Sequence, residues 1–454
     1  MNYYKYISLI LLPIAILSSL NACRKFLEAK PDAKMVVPST MKDLRALLDD
    51  VATMNLSWPI AGEVAADNYY LQTNNWKSIS SLTDRENYIW KEDVSNDMDW
   101  TLTYRVVLKA NLILEKIAEI HPSPDQVKEW NEIKGSAMFY RSFAFFMIAQ
   151  EFAMPYDPQS ATSESGIPIR LTADVNEPSY RSSLKDTYNT IIKDLEYASQ
   201  LLPINVAYKT RPSRVAALAL LSRVHLTIGD YSKAANYADT CINAGIQLLD
   251  YNQLSSATDG AFKRFNNEVI FHIAANYSYS LDASICKVDS LLISAYTTGD
   301  LRKQLFYKIN TDGSLAFSGN YDGSNSYQLY VGLAADEVYL TLAECQARTS
   351  RNTDALRTLN EFMKNRYDKL SFTPITSTAN LIDIILSERR KELPFRAIRW
   401  MDIRRLNTLA GGNITLERRI DNEIYTLPPG DLRYAMQIPT SVLATAQSME
   451  RNKR

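Results

Sequence analysis

Aromatic side chains set among polar residues are the feature of this sequence that most directly suggests a chemical role. Four of the six tryptophans fall within residues 58–100, a segment rich in Asn, Ser, Thr and Asp. Trp76 stands in Gln-Thr-Asn-Asn-Trp-Lys-Ser and has no apolar neighbour close along the chain. An exposed ring can stack on the apolar face of a sugar, while adjacent amide and carboxylate groups hydrogen-bond its hydroxyls. The segment is therefore a candidate ligand site.

A second aromatic group lies far along the chain, again among Ser, Asn, Asp and Gly. Its members are Tyr277, Tyr279, Tyr296 and Tyr321. Two irregular segments of this kind, carried on a helical scaffold, predict one composite binding face because binding residues concentrate on loops. The alternative is that each aromatic residue packs its own loop onto the helices. Trp100 begins a periodic helix and is expected to be structural.

Recognisable catalytic and metal-binding patterns are missing from the sequence. It contains no G-x-S-x-G, H-E-x-x-H, Walker or G-x-G-x-x-G motif. The three histidines are scattered, and His225 falls on an apolar helix face, where a structural role is expected. Four cysteines are too few for a disulfide framework. We therefore expect a protein that is not an enzyme, with no catalytic residue, metal site or cofactor; loop Asp and Asn residues leave a structural calcium ion open.

Charge and composition narrow the class of partner and the fold. Lys plus Arg is 50 and Asp plus Glu is 51, a net charge of −1, which argues against nucleic acid as a partner. The chain has only 14 glycines and as many as 27 tyrosines, a composition that favours a helical protein with a surplus of aromatic residues. Apolar residues recur at helical intervals over most of the chain, whereas residues 55–98 lose this periodicity and are predicted to be loop. Residues 250–330 are predicted to hold loops, short helices and small strand pairs.

Two helix pairs repeat weakly along the chain. One predicted pair spans residues 213–228 and 231–244, with Ser222 and Ala234 twelve positions apart. The second has Ala343 and Ala355 at the same spacing. Small residues at matched positions allow close helix crossings, so the pattern resembles tetratricopeptide repeats. The alternative is two ordinary helical hairpins.

The first 23 residues have the pattern of a lipoprotein export signal. Lys5 precedes an apolar stretch of signal-peptide length, which is too short to span a bilayer. Leu20-Asn21-Ala22-Cys23 resembles a bacterial lipobox, in which the cysteine becomes the acylated N-terminus. This predicts a signal peptide at residues 1–22, lipid attachment at Cys23 and a tether over 23–38. Cys241, Cys286 and Cys345 are expected to be buried free thiols.

Motifs along most of the chain resemble those of the SusD/RagB family of nutrient-binding outer-membrane lipoproteins. The most specific block is residues 388–405, which contains Glu-Arg-Arg-Lys-Glu-Leu and the Arg399-Trp400 pair. The other matching stretches are Cys23-x-x-Phe26-Leu27-Glu28-x-x-Pro31, Trp100-x-x-x-Tyr104, Lys109-Ala110-Asn111, Gly135-x-Ala137, Arg141, Phe145, Ile438-Pro439 and Asn452. The 388–405 block is expected to be structural, with Trp400 buried. Arg24-Lys25 departs from the acidic residues that often follow the cysteine.

The resemblance implies a mainly α fold, with a tetratricopeptide-like helix-pair scaffold and loop-rich ligand-binding insertions. One SusD-like domain would span 39–454. Its parts would be a scaffold at about 100–250 and 333–367, a binding subdomain at about 55–98 and 250–330, and a closing segment at 378–454.

The resemblance also implies a cell-surface receptor that captures an oligosaccharide and delivers it to a SusC-like TonB-dependent transporter in the outer membrane. A peptide ligand, or a scaffold role with no small ligand, are the alternatives. Asp67-Asn68 sits where the family often has a polar pair near the ligand. Candidate ligand-binding residues are Asp67, Asn68, Tyr69, Trp76, Tyr277 and Tyr279.

Overall fold

The computed structural model describes residues 38–255, 260–323, 326–446 and 448–454. The predicted signal peptide and the lipid-attachment residue Cys23 lie outside these residues. Residues 41–454 form one compact unit, which carries the fold. No helix in the described ranges is long and apolar enough to cross a membrane.

Helices dominate the described chain, and this confirms the mainly α prediction. In order, their bounds are α1 Met41–Leu48, α2 Val51–Met54, α3 Ala61–Ala65, α4 Thr73–Ser78, α5 Leu82–Tyr88, α6 Asp97–Glu119, α7 Val127–Phe152, α8 Leu184–Leu201, α9 Arg214–Thr227, α10 Tyr231–Asn243, α11 Ser290–Ser294, α12 Arg302–Phe306, α13 Ala335–Arg348, α14 Asn352–Met363, α15 Leu381–Glu392, α16 Arg399–Asn407 and α17 Thr440–Thr445. Short 3₁₀ turns occupy Tyr251–Gln253, Tyr279–Leu281 and Leu432–Tyr434.

Strands are short and form antiparallel pairs. Their bounds are β1 Tyr69–Tyr70, β2 Ser165–Pro168, β3 Arg181–Ser183, β4 Val269–Phe271, β5 Lys287–Val288, β6 Tyr307–Ile309, β7 Leu315–Phe317, β8 Leu333–Ala334, β9 Leu416–Ile420 and β10 Glu423–Leu427. The pairs are β1 with β5, β2 with β3, β4 with β8, β6 with β7 and β9 with β10. One pair, β6 with β7, lies wholly within 250–330, where the sequence predicts small strand pairs.

The repeated helix pairs form as the sequence predicts, with caps that explain where each helix begins. Ser183 accepts a hydrogen bond from the Asp186 N–H at 3.0 Å, which caps α8. Gly229 adopts φ +78° in the turn between α9 and α10, a conformation that glycine reaches without strain. At the crossing of these two helices, the Ser222 hydroxyl donates to the Ala234 carbonyl at 2.9 Å. Helices α13 and α14 repeat the arrangement around Ala343 and Ala355, which are fully buried.

Helix α7 is the centre of the main core. Its residues from Phe139 to Phe152 are almost all buried, although glutamine, glutamate and arginine lie among them. Helices α6 and α8 pack along it, and α1 contacts it as well. A helix enclosed on several sides needs apolar residues around most of its circumference, which explains why this stretch shows no single apolar face.

Trp400 of the 388–405 block is buried, as predicted. Trp400 is 2% exposed, and its indole N–H donates to the Gln150 carbonyl at 3.2 Å. The ring packs against Gly62, where a Cβ atom would lie 3.0 Å from it. The three cysteines Cys241, Cys286 and Cys345 are buried free thiols, which confirms that prediction.

The prediction of loop for residues 55–98 is wrong in part. The segment contains α3, α4, α5 and β1, joined by short turns. These helices are one or two turns long, too short for an apolar period to repeat, so the sequence pattern could not reveal them. They hold together through tertiary contacts, which include the buried residues Trp58, Tyr69 and Trp90.

Candidate functional site

A cavity of about 460 Å³ lies beside the segment that follows β4. Tyr277 and Tyr327 line it with rings that are 48% and 82% exposed, and their centroids are 6.5 Å apart. Its apolar lining includes Leu281, Phe317 and Phe395. Amide, hydroxyl and carboxyl groups complete the lining, from Asn276, Ser278, Asp282, Ser318, Asn320 and Ser326. We call this space the tyrosine cavity.

Backbone hydrogen bonds fix the segment that carries Asn276 and Tyr277. It runs between two other stretches of chain, since Asn276 N–H donates to Trp58 O at 2.7 Å and Ala275 N–H donates to Leu329 O at 2.9 Å. The Gln328 side chain donates to the Ala275 carbonyl at 2.9 Å. Tyr277 and Tyr327 are therefore brought together by pairing between segments some fifty residues apart in the chain.

A tight turn after Tyr277 fixes the orientation of its hydroxyl. Tyr277 O–H donates to Asp282 Oδ2 at 3.1 Å, while Ser284 N–H and O–H donate to Asp282 Oδ1. Burial, with the negative charge of Asp282 beside the ring, raises the pKa of Tyr277 to about 12. The phenol is therefore protonated at neutral pH. Its ring belongs to the lining of the cavity.

A second cavity of about 190 Å³ adjoins the first and shares Ile60, Asn276 and Tyr277 with it. We call it the aspartate cavity because Asp84, Asp97 and Asp99 line it. Asp99 accepts from the N–H groups of Ile60 and Ala61 and from the Asn276 side chain, at 2.8 to 3.0 Å. Burial raises the pKa of both Asp84 and Asp99.

Tyr277 is the predicted site residue that the structure places in the tyrosine cavity. Tyr279 is 38% exposed and belongs to the adjacent 3₁₀ turn, but it is not among the residues that line this cavity. The other members of the second aromatic group are internal. Tyr296 and Tyr321 are buried, and their hydroxyls bond to Tyr307 and Tyr251 at 2.8 and 2.9 Å.

Asp67 and Asn68, which the sequence analysis names as candidate ligand-binding residues, are engaged in internal contacts. Asp67 pairs with the Arg399 guanidinium at 2.6 and 2.8 Å, and Arg390 lies 3.3 Å away. These arginines hold the pKa of Asp67 well below its usual range, against the opposing effect of burial. Asn68 is fully buried, donates to Glu63 and accepts from Arg390.

Tyr69 and Trp76, the other candidates from the first aromatic group, also pack into the fold. Tyr69 is fully buried, and its hydroxyl donates to the Val64 carbonyl at 3.0 Å. Trp76 lies in α4, half-buried against a core cluster, with its indole N–H donating to Arg85 O at 3.0 Å. The neighbouring polar sequence gave no sign of these partners because they lie on other segments.

Tyr327 is the site residue that sequence reasoning missed. It stands in Ser-Asn-Ser-Tyr-Gln, a polar context like that of Trp76, and this was the available signal. Its exposed ring distinguishes it from the buried Trp58, Trp90 and Trp100. Trp100 stacks on Tyr104 at 4.8 Å and is structural, as predicted.

A buried acidic group elsewhere in the fold is held by arginines. Oxygens of Glu268, Asp336 and Glu392 lie within 4.8 Å of one another, a spacing that could suit a metal ion. Arg366 bonds to Glu268 and to Glu392, and Arg396 lies 3.1 Å from Asp336. Buried carboxylates that already have cationic partners have their charge compensated without a metal. The group therefore belongs to the packing of the 388–405 block, as the sequence predicts.

Apart from the aspartate cavity, which shares Tyr277, the other cavities have no exposed aromatic ring among their described lining residues. An open groove of about 720 Å³ includes Tyr296 and Tyr307, but these rings are buried and bonded to each other. A more apolar groove of about 270 Å³ includes Trp100, which is 6% exposed. The tyrosine cavity thus combines exposed rings with hydrogen-bonding groups.

Two protein-family models match parts of the chain. The one described as "Starch-binding associating with outer membrane" matches residues 25–226, and the one described as "SusD family" matches residues 319–453. Among named relatives from Formosa agariphila, SusD-like protein P2 is 24% identical over 73% of this chain and 77% of its own length. SusD-like protein P38 is 23% identical over 90% and 92%.

Solved structures share the fold. A SusD superfamily protein from Bacteroides thetaiotaomicron superposes with a TM-score of 0.74 at 22% identity, covering 91% of this chain and 100% of that one. A SusD-like carbohydrate binding protein from Bacteroides vulgatus gives a TM-score of 0.68 at 20% identity, covering 90% and 97%.

Proposed function

This chain belongs to the SusD/RagB family, and on that basis we propose that it is a cell-surface lipoprotein that captures an oligosaccharide. The tyrosine cavity is the proposed site of capture. The protein would bind without chemical conversion, in keeping with the lack of catalytic motifs in the sequence. Carbohydrate binding by a structural relative supports the same reading.

The observation that carries this proposal is the pair of exposed tyrosines over a lining of mixed polarity. Sugar rings present apolar C–H faces and hydroxyl edges, so they suit sites that combine aromatic rings with a few placed polar groups. Tyr277 and Tyr327 offer the rings, and Ser318 and Asn276 are among the polar residues that line the same space. The volume of about 460 Å³ lies within the range typical of ligand sites.

We propose that the captured glycan passes to a SusC-like TonB-dependent transporter in the outer membrane. The predicted acyl chains on Cys23 would hold the protein at that membrane, facing the cell exterior. Substituting Cys23→Ser tests the anchor, since the variant should appear in soluble fractions instead of the membrane fraction. Externally added protease tests the orientation and should digest the wild-type protein on intact cells.

A peptide is the second candidate ligand. The carboxylates beside Tyr277 could bind a basic side chain, and exposed tyrosines also pack against peptides. A third candidate is a scaffold role without a small ligand. A lipid-anchored glycosidase is disfavoured because the sequence lacks recognisable catalytic motifs. A screen of the purified protein against arrayed glycans and a peptide library decides among these. Glycan binding supports the proposal, whereas binding of peptides alone would replace it with the second candidate.

A further inference from the structure

The two adjoining cavities contain four carboxylates and no cationic side chain among their described lining residues. Asp282 lines the tyrosine cavity, and Asp84, Asp97 and Asp99 line the aspartate cavity. No lysine, arginine or histidine belongs to either lining in the part of the chain that the structure describes. This charge pattern bears on which glycan the proposed site can take.

Neutral groups, not cations, bond to these four carboxylates. Asp84 accepts from the Ser278 hydroxyl at 2.9 Å, and Asp282 accepts from Tyr277 and Ser284. Asp97 accepts from the hydroxyls of Ser95 and Ser441. Among described residues, no ion pair within 4.0 Å joins any of them to a lysine or arginine. The four carboxylates thus line the two cavities without a lysine or arginine partner among the described residues.

Elsewhere in the described chain, most buried carboxylates are paired with an arginine or a lysine, which makes the contrast informative. Glu337, Glu344, Glu388 and Asp402 each lie within 2.9 Å of an arginine or lysine. The nearest guanidinium to Asp84 along the chain, that of Arg85, lies over the Trp76 ring at 5.8 Å. Near Ser326, Arg264 is paired with Asp322 at 3.0 Å. The guanidinium groups of Arg85 and Arg264 thus contact residues other than the four carboxylates.

We infer that the site selects glycans by charge, admitting neutral and amine-bearing sugar units and rejecting those with uronate or sulfate groups. The inference rests on the proposed function and narrows its ligand class. An anionic sugar entering the cavities would lose water and meet like charge, which costs free energy. A protonated amine would meet compensating charge at the aspartate cavity. Burial disfavours the charged form of the Asp84 carboxyl group and so raises its pKa. A bound ammonium group would favour the charged form and oppose this effect.

The test compares arrayed oligosaccharides in which one backbone occurs in different charge states. The matched probes are β-1,4-linked hexasaccharides of glucose, which is neutral, of glucosamine, which carries an amine, and of glucuronate, which carries a carboxylate. Neutral, amine-bearing and sulfated forms of other backbones complete the array. Wild-type protein should bind neutral or amine-bearing members and no acidic member. Binding of amine-bearing glycans should weaken as ionic strength rises from about 0.05 M to about 0.5 M, while neutral glycans should show little change.

Variants separate the charge effect from general loss of the site. The double variant Asp84→Asn, Asp97→Asn should weaken binding of an amine-bearing glycan by roughly tenfold and leave neutral glycans within about twofold. Asp383→Asn, an exposed carboxylate on α15 outside both cavities, is the matched control and should change neither. Unchanged thermal unfolding would establish that the double variant is folded.

The failures of the two proposals are distinguishable. Binding of a uronate or sulfated glycan that is lost in Tyr277→Ala would overturn selection by charge and leave glycan capture standing. Equal binding of amine-bearing glycans by wild type and the double variant would overturn the assignment to Asp84 and Asp97. If the folded protein binds none of the arrayed glycans, the proposed function fails and the charge inference falls with it.

Discussion

The rings of Tyr277 and Tyr327 meet at 88° with their centroids 6.5 Å apart, at the mouth of one cavity. Both rings are exposed, whereas most large aromatic residues of the described fold are buried. An edge-to-face pair fixes each ring against the other and leaves faces open to a ligand. Two open aromatic faces beside one cavity are what the proposed capture of a sugar ring requires.

Removing the Tyr277 ring should weaken ligand binding much more than removing its hydroxyl. Stacking of a nucleic-acid base on one aromatic ring contributes about 1–3 kcal/mol, and by analogy Tyr277→Ala should weaken glycan affinity by roughly 5- to 150-fold. Tyr277→Phe keeps the ring and loses only the hydrogen bond to Asp282, and its affinity should stay within about threefold. Isothermal titration calorimetry measures both. An equal loss in the two variants would point to the hydroxyl as the contact.

Trp76 should matter for stability and not for binding. Trp76→Ala removes a half-buried ring and the hydrogen bond to Arg85, which should lower the free energy of unfolding by about 2 kcal/mol. Glycan affinity should remain within about twofold of wild type. Chemical denaturation and calorimetry on the same preparation test this. A large loss of affinity with unchanged stability would restore Trp76 as a ligand contact.

Arg418 should be one of the strongest single contributors to the packing of the 66–90 segment. Its guanidinium carbon lies 4.5 to 5.4 Å from the ring centroids of Tyr69, Tyr88 and Trp90, and it donates to the carbonyls of Tyr69 and Ala66. Arg418→Met should lower the free energy of unfolding by about 3 kcal/mol.

The neighbouring Arg419 gives the matched control for this variant. Its side chain is 68% exposed and lies 3.6 Å from Glu417, so Arg419→Met should cost no more than about 0.5 kcal/mol. Urea denaturation measures both variants. Equal effects would mean that the stacked guanidinium contributes no more than a surface charge.

Stability should fall as pH rises through neutrality. Burial raises the pKa of Glu63 to about 7 and that of Glu392 to about 7, above their usual value of about 4.5. The folded state therefore holds protons that the unfolded state has released, so the stabilisation is complete below about pH 4.5 and is lost through pH 7. Between pH 5.5 and 8.5, each group should account for up to about 2 kcal/mol of the decrease.

The variant Glu63→Gln tests how much of this pH dependence of stability comes from Glu63. The amide cannot accept from both Asn68 and the Ala397 N–H, so the variant should be less stable than wild type at pH 5.5. Because it does not titrate, its stability difference between pH 5.5 and 8.5 should be smaller than that of wild type. An undiminished difference in denaturation midpoints would show that Glu63 is ionised in the folded protein at both pH values.

The helical scaffold could be predicted because its signals are local. Ser183 and Gly229 mark helix ends through contacts within a few residues, and small residues such as Ser222 and Ala234 mark the crossing by their spacing. The burial of Trp400 followed from its place in a recognisable block.

The binding site could be predicted only in part because its contacts join distant segments. The polar setting of Trp76 suggested exposure, yet its partner Arg85 lies on the next helix. Asp67 likewise meets Arg399 from more than 300 residues away. Tyr277 was identified, but its partner Tyr327 depends on how residues 273–276 pair with residues 328–331. Such pairing leaves no trace in the neighbouring sequence.

Capture of a glycan between Tyr277 and Tyr327 is tested most directly by screening one glycan array with three proteins. These are the wild type, the double variant Tyr277→Ala, Tyr327→Ala, and the control Tyr279→Ala, whose exposed ring lies outside the cavity lining. The account predicts that wild type and the control bind the same glycans and that the folded double variant binds none of them. Glycan binding retained by the double variant would contradict it.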